Sequence, residues 1–161
     1  MKFTQKDEYS VDVDTVFKAF TDPEFLKARS EAIGARNISV DVSENNGTIT
    51  VKVIREMPTD APSKLKKFIP AWSKAVQTEV WKVKPGGPYM GKAEVDTGSI
   101  PVSIKSRMKL ATKSDGSLMQ IQTEVKSGIP FVGGALANFV GETAQKTLDA
   151  EYEYNKANIG Q

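Results

Sequence analysis

Two turn dipeptides, each flanked by alternating apolar and polar residues, most constrain what this chain can fold into. Asn46-Gly47 favours a two-residue type I′ hairpin turn, because both residues tolerate a positive φ. Pairing outward from this turn places apolar residues opposite one another on one face and an acid–base pair on the other. The predicted pairs are Val42 with Val51, Val40 with Val53, and Asp41 with Lys52. A slip of one residue would send every apolar side chain to the polar face, so the register is well specified.

Asp115-Gly116 predicts a second hairpin of the same kind. Taking these two residues as the turn gives apolar pairs on one face and an ion pair on the other. The predicted pairs are Leu110 with Ile121, Met108 with Thr123, Ser106 with Val125, and Arg107 with Glu124. Both hairpins therefore predict antiparallel strands with one dry face and one wet face.

The segment Phe131–Asn158 is predicted to form a long C-terminal helix. Its apolar stripe is Val132, Leu136, Phe139, Val140, Thr143, Thr147, Ala150 and Tyr154. The stripe becomes small and hydroxylated in its middle, whereas a helix packed flat on a sheet keeps large residues there. This pattern indicates that something other than protein side chains fills the space opposite Thr143 and Thr147.

The remaining elements follow from caps, periodicity and breakers. Asp12 and Asp22-Pro23 are predicted to start two short helices, and Gly34 to end the second with a positive φ. The predicted elements are a strand at Lys2–Tyr9, a helix at Val13–Thr21, a short helix at Ser63–Phe68, strands near Lys74–Lys84 and Lys92–Gly98, and a strand starting at Pro101.

The order of elements and two sequence segments resemble the helix-grip superfamily, which includes START lipid-transfer domains, birch-pollen-allergen-like proteins and polyketide cyclases. Val13–Phe25 is similar to the start of that superfamily's first helix, and Ile129–Gly134 looks like the signature of an uncharacterised, largely actinobacterial branch, a domain of unknown function. The resemblance covers essentially the whole chain. It implies an α+β fold in which a curved antiparallel sheet of about seven strands wraps a long C-terminal helix, with two short helices after strand 1. The turn at Glu44–Gly47 is too short for the glycine-rich loop of the allergen branch, so that branch's ligands are not carried over.

Composition limits the possible functions. The 161 residues predict one domain, 1–161, and their 22 basic and 20 acidic side chains give a net charge of +2, too balanced for a nucleic-acid partner. The chain has no histidine and no cysteine, which argues against zinc sites and Ser-His or Cys-His catalysis. No catalytic residue, metal ligand or cofactor is assigned. The sequence shows neither a signal peptide nor a membrane-spanning stretch, so we expect a cytoplasmic protein without integral membrane association.

The leading hypothesis is a carrier or receptor that binds a small hydrophobic, lipid-, sterol- or polyketide-like ligand in a cavity between the sheet and the C-terminal helix. The candidate ligand-binding residues are Val40, Val51, Val53, Arg55, Glu79, Trp81, Val95, Ile104, Met108, Met119, Ile121, Leu136, Phe139, Val140 and Thr143.

Three charged residues are predicted to share the inner face of the sheet: Asp7, Arg55 and Glu79. A buried charge needs a partner, so an Arg55–Glu79 or Arg55–Asp7 pair could orient a polar head group or poise a carboxylate for proton abstraction. Alternatively, these residues lie at the sheet rim, where the face opens to water. The alternation of Val76, Thr78 and Val80 offers a further alternative, in which Trp81 points outward.

Two other functions stay open at this stage. One is a cyclase, dehydratase or hydrolase that uses Arg55, Glu79 and Asp7; the other is a protein-interaction domain of the co-chaperone kind. The basic segment Ser63–Phe68 is interpreted as a solvated connector with Leu65 and Phe68 on the core, or alternatively as a lid or a transient contact with anionic membrane lipid.

Overall fold

The computed structural model describes residues 1–160 and shows a curved, seven-stranded antiparallel sheet with three α-helices, as predicted. The elements are β1 Lys2–Tyr9, α1 Val13–Phe20, α2 Pro23–Ala32, β2 Arg36–Asn45, β3 Thr48–Pro58, β4 Trp72–Lys82, β5 Tyr89–Asp96, β6 Ser103–Lys113, β7 Gly116–Lys126 and α3 Gly133–Asn158.

The strands lie in the order β1-β7-β6-β5-β4-β3-β2. Strands β2 to β7 form consecutive antiparallel neighbours, and β1 joins the far side by pairing with β7. Strands β1 and β2 are therefore the two free edges of the sheet. Helix α3 contacts β7 and β1 on its inner side, while α2 contacts β2 and α3.

The register predicted for the first hairpin is confirmed. Val42 pairs with Val51 and Val40 pairs with Val53. Asn46 and Gly47 have φ values of 50° and 78°, the positive values that a type I′ turn requires at both central positions. The local sequence therefore determines this hairpin.

The register predicted for the second hairpin is wrong by two residues. The structure instead pairs Leu110 with Met119, Met108 with Ile121, Ser106 with Thr123, and Arg107 with Gln122. The turn consists of Ser114 and Asp115, and Gly116 is the first residue of β7. Gly116 has a φ of 142°, and a Cβ there would clash with the backbone carbonyl of Tyr9 in β1. Glycine is therefore needed at position 116 because β1 lies close to the start of β7 there. A register shift of two residues still keeps each side chain on its predicted face of the sheet.

The two short helices begin where the caps predict. The Asp12 carboxylate accepts a hydrogen bond from the Thr15 backbone N–H at 2.9 Å, and the Asp22 carboxylate accepts one from Glu24 at 3.0 Å. Gly34 follows the end of α2 with a φ of 98°. These caps therefore set where α1 and α2 begin.

Helix α3 begins at Gly133, two residues later than predicted. Phe131 is outside the helix, has a φ of 68° and is fully exposed. The predicted stripe also drifts in its second half, because Ala150 is exposed. The residues that face inward there are Thr147, Leu148, Glu151, Tyr152 and Asn155.

The other predicted bounds need smaller corrections. The segment Ser63–Phe68 contains only a 3₁₀ turn at Ser63–Leu65, followed by hydrogen-bonded turns. Strands β4 and β5 each begin two to three residues earlier than predicted, at Trp72 and Tyr89. Strand β6 begins at Ser103 rather than Pro101, since proline has no N–H for the ladder.

The main hydrophobic cluster joins α1 to the inner face of the sheet. Phe17 stacks on Tyr89 with ring centroids 3.8 Å apart and meets Trp81 edge-on at 5.5 Å. Within residues 1–160 no helix is both long and apolar enough to cross a membrane.

Candidate functional site

A cavity of about 210 Å³ lies between the inner face of the sheet and α3. This volume is several times the ~30 Å³ that one water molecule occupies. Most of the predicted ligand-binding residues line it: Val53, Arg55, Glu79, Trp81, Val95, Ile104, Met108, Met119, Ile121, Phe139, Val140 and Thr143. The lining is mainly apolar, and its charged groups are Asp7, Arg29, Arg55, Glu79 and Glu151.

Three of the predicted residues do not line the cavity. Val40 and Val51 belong to the main hydrophobic cluster, which also holds Phe17 and Phe20 of α1. Helix side chains therefore fill the space inside this part of the hairpin. Leu136 is fully buried in a separate cluster with Leu65 and Ile69, because α3 starts against the segment after β3.

The end of the cavity near the start of α3 is covered by this second cluster. Leu65 is 2% exposed and Phe68 packs beside it, while Lys64, Lys66 and Lys67 point to solvent. This geometry agrees with the interpretation of a solvated connector whose apolar residues pack on the core. Ile69 and Ile100 belong to the cluster and also line the cavity.

A buried charge cluster forms one polar part of the lining. The Arg55 Nη1 lies 2.9 Å from the Glu151 Oε1 and donates to the Ser30 Oγ at 3.0 Å. The Arg29 Nη2 lies 3.8 Å from the same Glu151 oxygen, and its Nη1 donates to the Asn155 Oδ1 at 3.4 Å. The prediction that Arg55 pairs with Glu79 or with Asp7 is therefore wrong. Glu151 lies on α3, opposite Arg55, and takes the place of either strand carboxylate.

Two arginines hold Glu151 ionised. Burial alone raises the pKa of the Glu151 carboxyl, but the charges of Arg29 and Arg55 and the hydrogen bond from Arg55 outweigh it. The net effect is a pKa below the ordinary glutamate value. The cluster therefore contains one carboxylate and two guanidinium groups, and it joins α2, β3 and α3.

Arg29 and Glu151 are the functional candidates that the sequence pattern missed. Arg29 lies at helical spacing with Phe25, Leu26 and Ile33, which places its charge on the apolar face of α2. Glu151 lies between Leu148 and Asn155 at the same kind of spacing on α3. In both helices, a charge on the buried stripe was the available signal.

Glu79 forms a second polar part of the lining. Its carboxylate accepts hydrogen bonds from the Trp81 Nε1 at 2.8 Å and from the Gln77 Nε2 at 2.7 Å. Burial raises the pKa of Glu79, and the hydrogen bond from Trp81, the charge of Arg29 and the hydrogen bond from Gln77 offset this only in part. Trp81 is 1% exposed and Val80 is 44% exposed, so the inward face of β4 carries Glu79 and Trp81.

Asp7 lies on β1 and is 5% exposed. Burial raises the pKa of its carboxyl from 3.8 to about 6, against the lowering effect of a 2.9 Å hydrogen bond from the Gln5 Nε2. Burial also raises the pKa of Tyr9, whose hydroxyl accepts a hydrogen bond from the Asn155 Nδ2 at 3.1 Å. The predicted alternative of a solvent-open rim is therefore wrong for Asp7 and Arg55, because both side chains are buried beside the cavity.

This site can bind an apolar molecule and hold one polar group against buried charges. Among residues 1–160, no cluster of three or more histidine, cysteine, aspartate or glutamate side chains is placed to hold a metal ion. Acid–base groups are available in Asp7 and Glu79, which both have burial-raised pKa values.

The sequence matches the model of one protein family, described as a protein of unknown function (DUF2505), over residues 4–159. The search of curated protein sequences gave no match. Among solved structures, Ara h 8.0201 is 16% identical with a TM-score of 0.59, and the match covers 98% of this chain and 99% of that chain.

Two similar structures are named as enzymes or biosynthetic proteins. Norcoclaurine synthase from Thalictrum flavum, solved with dopamine and hydroxybenzaldehyde, is 12% identical with a TM-score of 0.57, covering 100% of this chain and 89% of its own. The di-domain ARO/CYC StfQ of the steffimycin biosynthetic pathway is 10% identical with a TM-score of 0.63, covering 98% of this chain and 50% of its own. At these identities the likeness establishes the helix-grip fold alone.

Proposed function

The chain belongs to the DUF2505 family, and we propose that it binds a small hydrophobic molecule carrying one polar group, in the cavity between its sheet and α3. The observation that carries the proposal is the cavity of about 210 Å³, with an apolar lining and a few convergent charged groups. Ile104, Met108 and Met119 line this cavity from the sheet. The small, hydroxylated residues Thr143 and Thr147 line it from the middle of α3.

The size of the cavity favours a small ligand. Sites for drug-sized ligands usually occupy ~300–1,000 Å³. A volume of about 210 Å³ lies below that range and suits a two-ring aromatic compound or a medium-length chain. Met108, Met119 and Phe139 supply polarizable and aromatic surface for either shape.

The two tryptophans allow a direct binding measurement. Trp81 lines the cavity and is 1% exposed, whereas Trp72 lies outside it, 37% exposed, with the Arg36 guanidinium 3.7 Å from its ring. In a Trp72→Phe protein, the emission therefore reports on Trp81 alone. We expect the neutral two-ring probe 1-naphthylamine to quench this emission saturably by energy transfer.

A matched pair of variants separates cavity binding from surface binding. Thr143→Phe places a ring in the cavity, while Lys146→Phe places the same ring on the exposed side of α3. We expect Thr143→Phe to weaken probe binding about tenfold or more and Lys146→Phe to leave it unchanged. Equal binding by both variants, or no saturable quenching in the parent, would contradict the proposal. Native mass spectrometry of the protein purified from its own host then identifies the ligand by mass.

Glu79 supports a second proposal, a cyclase-like enzyme that abstracts or donates a proton. Its carboxyl lies in the cavity and is oriented by two hydrogen bonds, and burial raises its pKa above the ordinary glutamate value, which favours a role as a general acid or base. The test is exchange of the central CH₂ protons of benzoylacetone in D₂O, which the enzyme should accelerate and Glu79→Gln should not. Acceleration that survives in Glu79→Gln would remove Glu79 from this role.

A further inference from the structure

Arg29 is a buried cation whose guanidinium group lacks a full set of hydrogen-bond acceptors. Its side chain is 10% exposed, and its Nε has no hydrogen-bond partner among residues 1–160. Its other contacts are long, 3.4 Å to Asn155 and 3.8 Å to Glu151. Arg55, in contrast, meets Glu151 and Ser30 at about 3 Å. A buried guanidinium with a free N–H is costly unless another acceptor reaches it.

The charge balance of the cluster points in the same direction. Arg29 and Arg55 share the single carboxylate of Glu151, which is committed to Arg55 at 2.9 Å. The other two acids of the lining, Asp7 and Glu79, lie beyond salt-bridge distance of both arginines. Glu79 instead bonds to Gln77 and Trp81, and Asp7 bonds to Gln5. Counting only the groups in direct contact, the cluster therefore has one positive charge in excess, at Arg29, while Glu79 acts on Arg29 at longer range.

We propose that Arg29 binds the carboxylate of the cavity's ligand, so that the natural ligand is a small monoanionic amphiphile. A carboxylate is planar and presents two oxygens with the spacing of two guanidinium N–H groups, and Arg29 is one of the residues that line the cavity. One carboxylate would neutralise the one excess charge. The apolar part of the ligand would then lie on Ile104, Met119 and Ile121, which line the same cavity.

This inference rests on the proposed function, and a set of matched ligands tests the two separately. Octanoate, octanol and octylamine share a chain length and differ in the head group. Each is titrated against the delipidated Trp72→Phe protein carrying 1-naphthylamine, and displacement is read from Trp81 emission. We expect octanoate to bind about tenfold or more tightly than octanol, the size of one charge-assisted hydrogen-bonded pair, and octylamine to bind most weakly.

The variants assign the preference to one residue. Arg29→Met should remove the advantage of octanoate over octanol. Arg29→Lys, which keeps the charge without the planar fork, should retain part of the advantage. Arg107→Met, on the exposed outer face of β6, is the control and should change nothing. The comparison of ligands on the Trp72→Phe protein needs no substitution at Arg29, so it stands even where Arg29→Met does not fold.

The outcomes separate cleanly. Binding of none of the three ligands, together with no effect of Thr143→Phe on the probe, would overturn the proposed function. Equal binding of octanoate and octanol, or tighter binding of octylamine, would overturn the carboxylate inference and leave the proposed function standing. A carboxylate preference that persists in Arg29→Met would overturn the role of Arg29.

Discussion

Asp7 allows a prediction whose sign and size follow from its surroundings. The residue is 5% exposed, and burial raises the pKa of its carboxyl from 3.8 to about 6. Above pH 6 the folded protein must hold this carboxylate ionised in a poor environment, whereas the unfolded chain ionises it freely. The native state is therefore penalised at high pH, and the penalty disappears as the pH falls through 6 to below 3.8, where both states are protonated.

Asp7→Asn should remove this penalty. An asparagine keeps the acceptor for the Gln5 amide but cannot ionise. A rise of the pKa from 3.8 to about 6 corresponds to at most ~3 kcal/mol in the free energy of unfolding. Since Asp7 lines a cavity that water can enter, we expect a gain of ~1–2 kcal/mol at pH 8 and almost none at pH 4.

The assay is urea unfolding of Asp7→Asn and its parent at pH 4, 5, 6, 7 and 8, with the free-energy difference plotted against pH. Glu8→Gln is the control, because Glu8 is the next residue along β1 and its side chain is 67% exposed. The control should give a difference that hardly varies with pH. An Asp7→Asn protein no more stable than its parent at pH 8, or equally stabilised at pH 4 and pH 8, would refute the reasoning.

Two further predictions concern the charge cluster and the close packing of the sheet. Glu151→Gln removes the counter-ion that two buried arginines share. It should lower the free energy of unfolding, measured in urea, by ~3 kcal/mol or more. Glu153→Gln, on the exposed side of α3, is the control and should have little effect. Equal effects of these two substitutions would mean that the cluster adds nothing to stability. Gly91→Ala places a Cβ 2.7 Å from the ring of Trp81 and should cost ~1–3 kcal/mol, seen as a lower melting temperature. Gly128→Ala has open space around its Cβ and serves as the control; a Gly91→Ala protein that melts with its parent would contradict the close packing.

The sheet could be predicted largely from local sequence because alternation has a period of two. Asn46-Gly47 alone determines the turn and register of the β2–β3 hairpin. The β6–β7 register could not be obtained in this way. Gly116 is required because the backbone of Tyr9, on the distant strand β1, leaves no room for a Cβ there. The inward faces of Met108 and Ile121 were nevertheless correct, because a shift of two residues preserves the face.

The polar part of the site was less accessible to sequence reasoning. Arg55 was placed on the inner face by its strand, but its partner Glu151 comes from the far end of the chain and cannot be found by local pairing. The inward-facing stripe of α3 also shifts gradually around the helix. A stripe extended from Val140 and Thr143 therefore predicts that Ala150 faces inward, whereas Glu151 does so. The position of Glu151 opposite Arg55 depends on how α3 packs against the sheet, which local sequence does not show.

The free edges of the sheet bear on how the protein behaves at high concentration. An open edge presents unpaired N–H and C=O groups on which a second molecule could add a strand. Strand β2 carries exposed Asp41 and Glu44, and its ladder is interrupted by a bulge between Arg36 and Ser39, with Asn37 at a φ of 53°. The exposed charges and the bulge therefore oppose the addition of a strand from a second copy along β2.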